Sequence, residues 1–372
     1  MTLRFLRSLV LAAGSVAVFG CGPSIVDVDD DDGGGEGPEP TAKPPCPGQP
    51  PLAPEHVTAH FLFDHALQAS WKDDEAEWFA VFEVHEDQWA TRAAERPDLS
   101  SYVGDVRIDD RYYADIKDQR LQIFDAADPL VPVEVTSLAL GGVIDAYGYE
   151  DGYLYTCFRP VGPSESRPHR IDLRDPQNPG KPELVADRPC VETDNAIEIA
   201  GSVLIDRRLS DVALYDLTND AAVIANHGWA PDGVHAYGYA TSVHSDGDVT
   251  VVQLENEDYV FLYYRSGQVV YSSFGVGAYA LLDVDDGIAY VLASRDDGQH
   301  VIGFDVRDSE KGAVEVSDAV LEAAEGDWIQ LVARDRGRLF LSSFDNHWLV
   351  PAQTTGTVPP FRFYSETDQC PY

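Results

Sequence analysis

From Val57 onward, apolar residues come in short runs broken by Asp-Gly and similar pairs, and no stretch keeps a helical period. One short strand recurs along the whole of this region. It reads Phe82-Glu83-Val84, Ile123-Phe124-Asp125, Ile171-Asp172-Leu173, Leu214-Tyr215-Asp216, Phe261-Leu262-Tyr263, Gly303-Phe304-Asp305 and His347-Trp348-Leu349. Its middle or defining positions, 83, 125, 172, 215, 262, 304 and 348, are separated by 42, 47, 43, 47, 42 and 44 residues. A period of that length, repeated seven times in a chain of short strands, is a blade period.

Each unit shares an internal grammar: a strand, a turn, a second strand, then the recurring third. In unit two the strands fall at residues 103–109, 112–116 and 121–124. In unit six they fall at 278–283, 288–292 and 301–306, with Asp285-Asp286-Gly287 as the first turn. Asp151-Gly152 and Asp246-Gly247 predict the same kind of hairpin, because Asp and Gly tolerate positive φ. Ala146-Tyr147-Gly148-Tyr149 returns two units later as Ala236-Tyr237-Gly238-Tyr239. The last unit is expected to form its own blade from residues 339–342, 347–350 and 361–364, and residues 318–325 are expected to form a short surface turn. The fold predicted over residues 55–372 is therefore all-β, a single β-propeller of seven four-stranded blades.

The preceding segments read differently. Arg4 and Arg7 precede an apolar stretch at residues 9–19, and Val18-Phe19-Gly20-Cys21 follows. The stretch is too short to cross a bilayer as a helix and suits a signal peptide over residues 1–20. Its end resembles a bacterial lipobox, which implies that Cys21 is lipidated and becomes the new N-terminus. Gly22 stands where an inner-membrane retention signal would resemble Asp, so the outer membrane is the expected address in an envelope with two membranes. Residues 21–54 are acidic, then Gly-rich, then Pro-rich. Such a composition buries too little apolar surface to offset its ordering entropy, and it reads as a disordered tether. The acidic run fails a calcium-loop test, because Asp32 stands at the sixth position counted from Asp27.

Composition narrows the partners. The chain has 372 residues and a net charge of −38, which disfavours nucleic acid and anionic lipid surfaces. A soluble monomer with a solvated acidic surface is expected. Apart from Cys21 there are four cysteines, an even number that in an exported chain favours disulfides and allows three connectivities. Cys157 and Cys190 share unit three, while Cys46 and Cys370 flank the first and last units, which ring closure brings together. The expected pairs are Cys157–Cys190 and Cys46–Cys370.

Two units carry a family resemblance. Residues 121–133 read Leu-Gln-Ile-Phe-Asp-Ala-Ala-Asp-Pro-Leu-Val-Pro-Val, and residues 169–179 read His-Arg-Ile-Asp-Leu-Arg-Asp-Pro-Gln-Asn-Pro. Both resemble the LVIVD repeat, a strand that ends in Asp and continues into a D-P-x-x-P turn. The resemblance implies a β-propeller on an exported bacterial protein and implies no reaction.

Reactive motifs were weighed against bland readings. G-x-S-x-G, H-E-x-x-H and the P-loop do not occur, and Gly275-Val276-Gly277 lacks the third Gly of a dinucleotide fingerprint, so it reads as a strand start. His227, His235 and His244 have no compact zinc spacing, and Asp283-Val284-Asp285-Asp286-Gly287 is a hairpin turn that only looks calcium-like. Alignment of the innermost strands places Asp105, Asp145, Asn195, His235, Tyr279 and Trp328 at equivalent channel positions, where polar groups can hold a polar ligand or a cation. Two functions follow as expectations. The first is a non-catalytic binding or scaffold module on a lipid anchor, engaging a protein or polar ligand and needing no cofactor. The alternative is a calcium-assisted hydrolase similar to the propeller phytases or lactonases, built on Asp105, Asp145 and Asn195.

Overall fold

The computed structural model describes residues 57–364 apart from 73–76, 86–87, 96–105, 118, 163–164, 191–195, 208–210, 229–239, 255–258, 276, 325–328 and 336. These residues are all-β and form seven small sheets set around a ring. Blade one holds β1 (Val57–Phe63), β2 (Ala66–Lys72), β3 (Glu77–His85) and β4 (Trp89–Glu95). Blade two holds β5 (Val106–Arg107), β6 (Tyr112–Lys117), β7 (Arg120–Asp125) and β8 (Val133–Ala139). Blade three holds β9 (Gly142–Glu150), β10 (Tyr153–Pro160), β11 (Arg167–Asp172) and β12 (Glu183–Leu184). Blade four holds β13 (Ala196–Ala200), β14 (Val203–Arg207), β15 (Asp211–Asp216) and β16 (Ala222–Gly228). Blade five holds β17 (Ala240–Ser245), β18 (Val249–Leu254), β19 (Tyr259–Tyr264) and β20 (Val269–Ser273). Blade six holds β21 (Ala278–Asp285), β22 (Ile288–Arg295), β23 (Gly298–Asp305) and β24 (Val314–Leu321). Blade seven holds β25 (Gln330–Asp335), β26 (Arg338–Ser342) and β27 (His347–Pro351).

Every recurring triplet found by periodicity lies in or against the third strand of its blade. The reason is packing. Third strands are interior in six of the seven sheets, and in all seven their apolar residues pack into the wedges between blades. Leu121 and Ile123 on β7 are fully buried, as are Leu262 on β19 and Trp348 on β27. The Asp-Gly hairpins form as their chemistry demands: Asp151 and Gly152 have φ of 51° and 80°, and Asp286 and Gly287 have 46° and 67°. Two successive positive φ values make the hairpin turn whose twist matches the strands.

The core is not one mass but seven wedges, one at each junction between neighbouring sheets. Phe61, Tyr113 and Phe124 join blades one and two, and Leu121, Leu154 and Ile171 join two and three. Tyr155, Ile199 and Leu204 fill the third wedge, Leu214, Val243 and Phe261 the fourth, and Val251, Phe274 and Phe304 the fifth. Tyr290, Leu341 and Trp348 fill the sixth. Phe82, Phe340 and Phe363 close the ring between blades seven and one. The predicted Cys157–Cys190 disulfide is present, with Cα atoms 6.0 Å apart. It sits within the wedge between blades three and four, so it reinforces a junction as well as the blade that contains it.

Two expectations are corrected. Asp318–Leu321 continues β24 as strand, and only the following Glu322-Ala323 turns, because Ala319 and Leu321 are needed in the sixth wedge. The C-terminal strand does not complete blade seven. After β27 the chain forms β28 (Thr355–Val358), which pairs in parallel with β24 of blade six. It then forms β29 (Arg362–Tyr364), which pairs in parallel with β4 of blade one. There the Phe363 ring packs against Phe82 of blade one and Phe340 of blade seven. Among the described residues blade seven therefore has three strands. Its edge is satisfied by other means. The Gln88 side chain donates to the Leu349 carbonyl at 2.7 Å and accepts from the Leu349 N–H at 3.2 Å, and the Phe361 N–H donates to the His347 carbonyl at 2.6 Å. Cys21, Cys46 and Cys370 lie outside the described residues.

Candidate functional site

The first strand of each blade lies at the ring's inner side, and all run in the same direction, so their starts share one face and their hairpins the other. Of the six predicted channel positions, Asp105, Asn195, His235 and Trp328 lie outside the described residues, as does the second Ala-Tyr-Gly-Tyr copy. The other two share a feature the sequence did not announce. In blade three Cys157 faces Ala146 and Phe158 faces Ile144, which leaves Asp145 as the extra residue of a bulge. In blade six Ala293 faces Ala278 and Leu292 faces Ala280, which leaves Tyr279 in the same position. A bulge removes a residue from the ladder and re-aims its side chain. Asp145 accepts from the Arg159 guanidinium at 2.8 Å, and the Tyr279 hydroxyl donates to Gln299 at 2.9 Å. Each is thus engaged inside its own blade, and Asp145 carries a cation already. Among the described residues no group of three or more His, Cys, Asp or Glu side chains is placed to hold a metal ion.

The hairpin face is richer in charge than sequence reasoning foresaw. Arg334 on β25 pairs with the buried Asp283 on β21, donates to the Val284 carbonyl at 3.0 Å, and lies 3.9 Å from Asp285. His244 on β17 stands 3.8 Å from Asp283, so three adjacent blades meet at this carboxylate. Burial pushes the Asp283 carboxyl up to about 7 against the opposing pull of Arg334. Its neighbour Asp335 serves the ring closure. It pairs with Arg107 of blade two, takes the Asp64 N–H of blade one at 2.8 Å, and receives Arg338 at 3.1 Å. Arg107 reaches it over the Phe63 ring, 4.6 Å from the centroid.

The same logic joins blades three to six. Arg265, just past β19, donates to Glu150 at 2.8 Å, to Ser202 at 2.9 Å and to Asp216 at 3.2 Å. Glu150 also accepts the Ser202 N–H at 2.8 Å. Gly201 suits this turn: its φ is 55°, and a Cβ there would stand 3.1 Å from the Glu150 carboxylate. Asp246 of blade five takes the Gly287 N–H of blade six at 2.6 Å, and burial raises its pKa although three backbone N–H groups oppose that shift. Losing one partner of a buried pair strands the other, at a cost of roughly 3–5 kcal/mol.

The repeating aspartates also find a structural role. Asp125, Asp172, Asp216 and Asp305 each accept the N–H two residues on, from Ala127, Arg174, Thr218 and Arg307, at 2.9–3.0 Å. Asp128, Asp175 and Asp308 repeat the device one turn later, toward Leu130, Gln177 and Glu310. These are side-chain turns that end the third strand and redirect the chain. Arg174 folds back onto Asp172 and holds its carboxyl down at about 2. Part of the signal was legible, since a strand-ending Asp followed by Asp128-Pro129 or Asp175-Pro176 is a turn pattern.

No family model matches the chain, and neither does any curated protein. Among solved structures it is similar to Hsv2 of Kluyveromyces lactis, at 12% identity and a TM-score of 0.42, over 79% of this chain and 92% of that one. It is similar to an acylaminoacyl peptidase of Pyrococcus horikoshii at 12% and 0.42, over 79% of this chain and 50% of that one. An uncharacterised protein of Listeria monocytogenes matches at 10% and 0.45, over 86% and 98% of the two chains. Likeness at this level concerns the overall fold and not chemistry.

Proposed function

We propose that this protein is a lipid-anchored binding propeller of the bacterial envelope, attached through Cys21 and held away from the membrane by residues 21–54. We place it with the LVIVD-repeat propellers on the strength of residues 121–133 and 169–179. It works as a monomer on the outer membrane, and its ligand is a protein or polar molecule. The observation that carries the reading is the treatment of the described charges. Asp283, Asp335, Glu150, Asp216 and Asp145 all have an Arg partner, and the first four pair across blade junctions. Charges used in that way make a stiff ring for presenting surface, since side chains committed to pairs across blades are not free to gather on a ligand.

The test begins with the anchor. Cys21→Ser should abolish incorporation of labelled palmitate and release the chain from membranes; unchanged retention would refute the anchor. Affinity capture with the full chain from envelope extract should then return a specific partner. Turnover of phosphoesters or lactones by the purified chain, with calcium binding at micromolar concentration, would replace this reading with the hydrolase.

A further inference from the structure

Blades two and six are close copies in their outer halves. Their third strands read Leu-Gln-Ile-Phe-Asp at 121–125 and Val-Ile-Gly-Phe-Asp at 301–305, and their outer strands open with Val133-Glu134-Val135 and Val314-Glu315-Val316. The second Val is the extra residue of a bulge in both. Phe124 faces Glu134 and Ile123 faces Thr136, while Phe304 faces Glu315 and Gly303 faces Ser317. This register makes Ser137, Leu138, Ala139 and Leu140 the counterparts of Asp318, Ala319, Val320 and Leu321.

The two edges differ in what lies beyond them. In blade six those four residues carry β28 as a fifth, parallel strand, from Asp318 against Thr355 to Leu321 against Val358. In blade two β8 is the last strand of its sheet among the described residues. Natural sheets protect such an edge with charge, proline or a covering segment. From Val135 to Leu140 blade two has no charged residue and no proline, in a chain with 64 acidic residues. Val133 is 60% exposed, Val135 is 37% exposed, and the Arg120 side chain donates to the Ser137 hydroxyl at 3.1 Å.

We propose that the outer edge of blade two, residues 137–140, is a docking site for an extended, cationic peptide segment of a partner, which adds in parallel as β28 adds to blade six. The seated β28, Thr355-Gly356-Thr357-Val358, shows what backbone geometry and side-chain size this edge type accepts. The sign of the partner follows from charge. Glu134, Asp128 and a net charge of −38 repel an acidic strand and a second copy of this chain alike, and attract Lys and Arg on either side of the bound residues. Main-chain hydrogen bonds supply affinity in this mode of recognition and alternate side chains supply selectivity. The inference rests on the binding reading above and names its site.

The probe is a synthetic peptide carrying the chain's own residues 354–358 between two pairs of lysines, titrated into the full chain in detergent. Saturable binding is expected, with slowed amide exchange at residues 137–140. Methylating alternate peptide nitrogens should weaken it roughly tenfold, as expected for the loss of two hydrogen bonds. Ser137→Pro should do the same. No binding at millimolar peptide, protection confined to another blade, or indifference to methylation overturns the proposal without needing any variant to fold. Equal binding when glutamates replace the lysines overturns its charge requirement. An envelope partner still captured by Ser137→Pro overturns this edge while leaving the binding function standing. Failure to capture any partner at all counts instead against the binding function.

Discussion

Blade six and blade seven begin alike and end differently. Both have a bulged inner strand, a hairpin, and a buried third strand where the repeat places it. Blade six then adds its own outer strand and accepts β28 beyond it, while blade seven stops at three strands. Its edge is met by one Gln88 side chain and a bridge from Phe361, and the strand that might have filled it crosses to blade one. The contrast teaches that the repeat specifies the inner three strands of a blade. The outer position is open to strands from elsewhere in the chain, as β28 and β29 show. Closure of the ring consequently depends on the C-terminal clasp, whereas interior junctions depend on wedges built within consecutive units.

The contrast breaks most sharply at Phe363. Its ring is 1% exposed and lies 5.0 Å from Phe82 and 5.3 Å from Phe361 and His347. Phe363→Ala should cost about 3–5 kcal/mol in chemical denaturation, with exchange rising first in blades seven and one. A loss of under about 1 kcal/mol would mean that β29 is not what closes the ring. An interior junction is tested by replacing both Cys157 and Cys190 with Ser. The closed loop spans 33 residues, so the expected cost is roughly 3–4 kcal/mol, with loosening at blades three and four and the seam unchanged. Gln88→Ala comes next. It leaves the buried Leu349 N–H and carbonyl without the side chain that serves both, which should cost about 1–3 kcal/mol and raise exchange at Leu349 in particular.

A pH slope is expected at the hairpin face. The folded chain holds a proton at Asp283 up to about pH 7, whereas an unfolded Asp releases it near pH 4. The native state therefore binds more protons across that window, and this group's contribution to stability falls as pH rises through it. Tm measured from pH 4 to 7 should decline in the parent relative to Asp283→Asn. Parallel curves would show that Arg334 keeps the carboxylate ionised throughout.

The repeat was legible because the apolar residues of third strands pack into the wedges between blades, which forces the same apolar triplet to return at each blade. The Asp-Gly hairpins were legible because positive φ restricts residue choice, and Cys157–Cys190 because both cysteines fall in one unit. The bulges at Asp145 and Tyr279 were not, since these inner strands have no strict apolar alternation for an extra residue to interrupt. The ion pairs at the hairpin face were invisible for another reason. Arg107 and Asp335 are separated by more than half the chain and meet only because the ring brings blade two near blade seven.

The sequence by itself determined the number of units, the position of each third strand and the turns that end it, because those follow from local periodicity and backbone preference. Tertiary structure alone decided where residues 355–364 go and which Arg neutralises which carboxylate. A parallel strand added to an outer edge has no fixed sequence partner, and its place follows from where its apolar residues pack: Phe363 against Phe82 and Phe340, and Val358 in the sixth wedge.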